Sequence, residues 1–251
     1  MFVVNNNNKT NIVRGNRVLN KADRDQNISA MLVVLNRCRV TMQSPQMMHF
    51  IVEAKFDLLP EKMVQRVKEA YISEFKRFEK QRLDRNSTVR KRNCPAIEMI
   101  YSIESKMIND YQYDHIHFMF IVDFGNNRFG YQEIMSVINR TLGRLDFVVP
   151  IDHIDDFNYI GFKGKNSCGY CRYRNRASRT ISNDALMVED GSFKEVRGHD
   201  LKLEFNDAVI RASYLCKSEQ KELLPNHIKR YSFGHTRAPR ARSNIELDLV
   251  A

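Results

Sequence analysis

Two strand-length segments that follow each other closely, Ala96–Glu104 and His115–Asp123, constrain the fold of this chain more than any other feature. The second contains the unbroken apolar run Phe118–Val122. That run suits a strand and is far short of the roughly 18 to 20 apolar residues of a membrane span. Strands that are neighbours in sequence and joined by a hairpin run antiparallel, because a parallel pair needs a long crossover. The stretch between them, SKMINDYQYD, is expected to form a long hairpin loop. Around this pair the order is strand, helix, strand, strand, helix, more strands, helix. It predicts an α+β fold, a central antiparallel β-sheet with helices packed mainly on one face.

The helices are read from apolar spacing. Ile28, Met31, Leu32 and Leu35 predict a helix over 28–40, ended by Ser44-Pro45. His49 to Leu58 reads as a strand. Pro60 opens a helix to about residue 82, with Met63, Val67, Ala70, Tyr71 and Phe78 as its apolar stripe. Residues 84–94 form a basic connector. Ile134, Val137, Ile138 and Leu142 predict a helix from Tyr131 to about Arg144. Shorter strands are expected near 146–151, 158–162, 184–189 and 200–205. Asn206 or Asp207 can cap a last helix with its body from Ala208 to about Lys217. The chain divides into an Asn-rich arm and helix over 1–45, one main domain over 46–224, and a loose basic tail over 225–251.

Composition narrows the class. With 43% hydrophobic residues the chain can bury a real core. The N-terminus has no basic segment leading into a long apolar one, so the expectation is a cytoplasmic protein with no membrane partner. A formal net charge of +10 favours a polyanionic partner, because neutralising phosphates releases condensed counterions. Five cysteines, an odd number in a chain of 251 residues, argue against a disulfide scaffold. Cys168-Gly-Tyr-Cys171 has the spacing of half a zinc site. No second such pair completes it, although His153 or Cys94 could contribute, and ordinary reduced thiols are the favoured reading.

The most informative segment is Tyr113-Asp-His-Ile-His-Phe-Met-Phe-Ile-Val-Asp123. Side chains alternate along a strand, so His115 and His117 share a face with Ile116 opposite, and two imidazoles on one face can grip one cation. If the preceding strand pairs with this one, Glu104 lies beside them. Two nitrogens and one oxygen would then leave positions open for water and a phosphate oxygen. Glu98, Glu53 and Asp57 are other carboxylates that could serve as the third ligand.

The second segment is Asp207–Lys217, in which Tyr214 and Lys217 are three apart and share a helix face. A phenol is a poor nucleophile near neutral pH, and a nearby ammonium favours its phenolate and blunts the charge of a phosphodiester. From Phe157 to Asn183 six Lys or Arg residues occur without an Asp or Glu. Tyr159, Phe162, Tyr170 and Tyr173 are interleaved with them, a composition suited to single-stranded nucleic acid. The candidate DNA contacts are Lys163, Lys165, Arg172, Arg174, Arg176 and Arg211.

His115-Ile116-His117 followed downstream by Tyr214-Leu-Cys-Lys217 resembles the HUH endonuclease superfamily of rolling-circle replication initiators and relaxases. The nearest likeness is to the filamentous-phage (inovirus) and prophage initiators. These have a strand ending in Glu, a loop, His-x-His with an apolar run, and a basic segment after the YxxK helix, here Arg230–Arg237. The resemblance spans roughly 46–237. Phe50 to Leu58 matches the superfamily's first strand only loosely, and the motif is of the single-tyrosine kind. The resemblance implies that the main domain is an HUH-type nuclease. Mg²⁺ or Mn²⁺ would sit on Glu104, His115 and His117, and Tyr214 would attack the scissile phosphate with Lys217 in support. A 5′-phosphotyrosyl link would form, and the freed 3′-hydroxyl would prime synthesis. The implied partners are single-stranded origin DNA and the replication machinery of a bacterial host. Two rival readings are a non-catalytic nucleic-acid-binding protein and a mononuclear iron oxygenase using two histidines and a carboxylate.

Overall fold

A computed structural model describes residues 10–13, 16–19, 24–86, 88–125, 128–150, 170 and 198–237. The elements are β1 (Thr10–Val13), β2 (Asn16–Leu19), α1 (Asp25–Thr41), β3 (Pro45–Glu53), a 3-10 turn (Phe56–Leu58), α2 (Met63–Arg85), β4 (Ile97–Ile108), β5 (Tyr111–Asp123) and α3 (Tyr131–Gly143). After these come β6 (His199–Asp200), α4 (Phe205–Ser213), a 3-10 turn (Tyr214–Cys216), α5 (Asn226–Lys229) and β7 (Phe233–His235). The strands β6-β3-β5-β4-β7 form one sheet in that order, and every pairing is antiparallel. This is the expected α+β class.

β5 is the central strand because it can bury both faces. Ile116, Phe118, Phe120 and Val122 point one way, into a core built with Phe50, Met99 and Ile103 and covered by α2 and α3. Met63, Val67, Tyr71 and Phe75 of α2 supply one side of that core, and Ile134, Val137, Ile138 and Leu142 of α3 the other. Met119 and Ile121 point the opposite way, against Met31 and Leu35 of α1 and Val209 and Ala212 of α4. The helical cover thus extends further than expected, to both faces of the sheet. Each fully buried aromatic or aliphatic side chain contributes roughly 1.5 to 3 kcal/mol.

Several local expectations are corrected. SKMINDYQYD is not a long loop: the ladder continues through Ser105↔Asp114 and Lys106↔Tyr113 to Ile108↔Tyr111, leaving a two-residue turn. Asn109 makes that turn at φ 53, a left-handed conformation that Asn tolerates better than most residues. The strand expected to end at Leu58 ends at Glu53, and Phe56–Leu58 is a 3-10 turn. Residues 146–150 form turns with a single bridge, Val148 to Ala54. The arm is a hairpin of β1 and β2, with Val18 buried and the Leu19 N–H donating to Ser213 Oγ at 2.9 Å. The segment after Pro225, read as a loose tail, contributes α5 and the edge strand β7. The strands expected near 158–162 and 184–189, together with His153, Cys168 and Cys171, lie outside the described residues. Cys38, Cys94 and Cys216 are free thiols.

Candidate metal and tyrosine site

Register brings the carboxylate to the histidines. Glu104 of β4 pairs directly with His115 of β5, and Ser102 pairs with His117. Directly paired residues of an antiparallel ladder share a face, so all four side chains lie on the side of the sheet covered by α1 and α4, beyond Met119. Glu104, His115 and His117 are buried, and each offers one ligand atom within 4.8 Å of the others. Glu104 Oε2 lies 3.2 Å from His117 Nε2 and 3.6 Å from His115 Nε2. Although so close, Glu104 Oε2 and His117 Nε2 make no directed hydrogen bond. Oε2 has the Lys217 ammonium 3.0 Å away, whereas His117 Nε2 has no hydrogen-bond partner, and buried polar atoms are normally satisfied. Two imidazole nitrogens and a carboxylate oxygen also form a donor set suited to a first-row divalent ion or Mg²⁺. The residues fit a metal ion.

The other carboxylates are engaged elsewhere. Glu98 is on the same face, but six residues further along β4, and pairs with Arg37 at 3.2 Å. Glu53 accepts from Tyr111 Oη at 2.8 Å. Asp57 sits in the 3-10 turn.

Glu104 is held from both of its oxygens. Oε1 accepts from Ser102 Oγ at 3.2 Å, and Oε2 lies 3.0 Å from Lys217 Nζ. Burial works against ionisation of this carboxyl, but His115, His117 and Lys217 outweigh it and keep its pKa well below the usual range. Burial pushes His117 down to about 4, against the pull of Glu104, so its imidazole is neutral near pH 7.

Tyr214 is the last residue of the wall. α4 ends at Ser213, and its continuation tightens into the 3-10 turn Tyr214–Cys216, so the expected helix to Lys217 is shorter and Lys217 is extended. The two side chains still meet. Lys217 Nζ lies 3.8 Å from the centroid of the Tyr214 ring, and that ring contacts His117 edge-on at 5.1 Å between centroids. Lys217 is almost fully buried, so its ammonium stands between the phenol ring and the Glu104 carboxylate. Of the competing tyrosines, Tyr170 and Tyr231 belong to the core on the opposite face of the sheet. Tyr173 lies outside the described residues.

Three features of the site were missing from the sequence reading. His49 of β3 stacks on His117, its Nε2 2.9 Å from His117 Nδ1, while Arg211 of α4 reaches His49 Nδ1 at 2.7 Å. Arg211, expected to face DNA, is therefore buried and committed to His49. Lys221 is buried as well, and donates to Ser102 Oγ at 2.7 Å and to the Ile103 carbonyl at 2.9 Å. Burial lowers it to about 8, which leaves it a cation at neutral pH. His49 belongs to no short motif, and only the pairing of its strand with β5 could have pointed to it. Tyr170, expected as a base-stacking ring, is buried, with its hydroxyl on the Val149 carbonyl. Lys163, Lys165, Arg172, Arg174 and Arg176 lie outside the described residues. No family model, curated protein or solved structure matches this chain, so the reading of the site rests on its own geometry.

Proposed function

We propose that this chain cuts and rejoins single-stranded DNA through Tyr214, as a metal-dependent HUH-type initiator of rolling-circle replication. The observation that carries the reading is the contact of the half-buried Tyr214 ring with His117 and Lys217, beside the buried group Glu104, His115 and His117. A net charge of +10 supports a polyanionic substrate.

The chemistry is a phosphoryl transfer in which the chain's residues have separate tasks. Glu104, His115 and His117 hold a divalent ion, Mg²⁺ or Mn²⁺, which when bound supplies Lewis-acid polarisation of the phosphate. The Tyr214 oxygen bonds to phosphorus as its proton passes to solvent water, and the P–O3′ bond breaks. The 5′-phosphate stays on the tyrosine, and the 3′ oxygen leaves as a hydroxyl after taking up a proton. Lys217 offers positive charge beside the phenol as it ionises. Attack of the 3′-hydroxyl on the phosphotyrosine reverses the steps and reseals the strand. The freed 3′ end is a primer for a host polymerase, in a bacterial cytoplasm. Among the described residues no helix is long and apolar enough to cross a membrane.

The test is incubation of the full chain with labelled single-stranded oligonucleotides and Mn²⁺, followed by mass spectrometry of the DNA-linked peptide. An adduct on Tyr214, lost in His115→Ala and His117→Ala, is the expected result. No adduct on any tyrosine would remove the proposal, and an adduct confined to another tyrosine would move the site.

A further inference from the structure

The sheet face that carries the cation site does not stop at His115. Register places Lys106 opposite Tyr113 and Ile108 opposite Tyr111, on the same face as Glu104 and His115 and successively further out along the β4–β5 ribbon. Tyr111 lies four residue steps from His115, roughly 13 Å of strand. The Tyr113 ring stacks on His115 at 4.7 Å between centroids, and Lys106 Nζ lies 5.5 Å from the Tyr113 centroid. At the end of the ribbon Tyr111 is 59% exposed and Ile108 44% exposed. An aromatic and a branched aliphatic side chain face solvent beside a lysine, in line with the buried cation site.

The charges around this exposed pair select its occupant. Glu53 holds the Tyr111 hydroxyl at 2.8 Å, and Asp110 is its neighbour in the turn. These carboxylates disfavour a phosphate at Tyr111, while the uncharged face of a base meets no such penalty. Lys106, nearer the cation site, is where a phosphate is favoured. Every base has a π face, so stacking of this kind tolerates any sequence. A duplex keeps its bases stacked on one another and cannot use such a platform.

We propose that the tip of the β4–β5 hairpin, Ile108 and Tyr111 with Lys106 behind them, is a stacking platform for an unpaired base of single-stranded DNA entering the cation site. This rests on the functional reading above and adds a separate binding element to it. The bond at Glu53 fixes the ring in advance, so little rotamer freedom is lost when a base arrives.

The test compares, by fluorescence anisotropy with the full chain, a labelled oligothymidylate with an oligonucleotide of equal length built of abasic sites. The wild-type chain is expected to bind the base-bearing strand about tenfold more tightly, the scale of one aromatic stack. Tyr111→Ala should bring the two affinities within about twofold. Tyr111→Phe, which keeps the ring but loses the bond to Glu53, should retain most of the ratio, at least about fivefold. The platform is overturned if Tyr111→Ala keeps the wild-type ratio, or if that variant changes the sedimentation behaviour of the chain and leaves the ratio alone, which would make the tip a protein contact. The Tyr214 adduct assay, run alongside, separates the two proposals. An adduct without discrimination between the oligonucleotides removes only the platform, whereas discrimination without an adduct removes only the nuclease.

Discussion

Tyr214 contributes one oxygen to the site and a ring to its packing, and the two can be separated. Tyr214→Phe keeps the ring against His117, so the variant should fold, bind Mn²⁺ and bind DNA, yet form no covalent adduct on denaturing gels. His49 works through another residue: it grips His117 Nδ1 and is gripped by Arg211. Outer partners of ligating histidines are typically worth roughly 10- to 100-fold in metal affinity. His49→Ala should weaken Mn²⁺ binding within that range by calorimetry, and His49→Gln, which can still bond to the ring, should recover part of it. His117 also sets a pH limit. Its folded-state value of about 4 lies below the ordinary 6.5, so between those values the unfolded chain binds more protons than the folded one. Its contribution to stability is therefore complete above about pH 6.5 and is lost as pH falls toward 4, on the order of 3 kcal/mol. Urea midpoints in chelator should fall over that window in the wild-type chain, and a flat profile would remove the assignment. The Glu104, His115 and His117 group was legible in the sequence because strand alternation is a local rule, whereas Tyr214 and Lys217 meet although the helix expected to carry both ends at Ser213. His49, Ser102 and Lys221 were not legible, because each reaches the site through pairing between segments far apart in the chain.

The elements differ in how plainly they were written. α2 and α3 have long apolar stripes that only a helix can gather on one side. β5 announced itself by its apolar run. The β4–β5 hairpin was misread as a loop because polar side chains on an exposed ribbon resemble loop composition, and the turn signal, Asn109, lies in the middle of it. β7 has three residues, too few for any periodicity. What fixes β7 is a contact: a Cβ placed on Gly234 would stand 2.5 Å from the Tyr101 ring, which lies across it in register. Gly234→Val should accordingly destabilise the chain by about 2 kcal/mol, the usual scale of overpacking, measured by denaturant unfolding. It should also raise amide exchange along β4. Gly234→Ala must meet the same ring and should show a smaller effect in the same direction.

Across the whole molecule, the long inner strands β3, β5 and β4 are flanked by edge strands of two and three residues. Beyond these, irregular chain covers parts of each border. Along β4, Ile103 N–H donates to the Ser232 carbonyl and Ser105 N–H to that of Gln220; along β3, Ile51 N–H donates to the Tyr170 carbonyl and Lys55 N–H to that of Phe147. Where it is covered, the border offers a second chain less free ladder. The cover over β4 comes from the segment that follows Tyr214, and it lies beside Glu104. A chain ending at Leu224 would lose α5, Ser232 and β7 together and bare the border of β4 from Met99 to Ile103. That truncated chain should self-associate into thioflavin-positive aggregates at concentrations where the full chain stays monodisperse by light scattering. The last stretch of described chain thus acts as a stopper against templated sheet growth, and a molecule that lost it by proteolysis would become a seed for fibres.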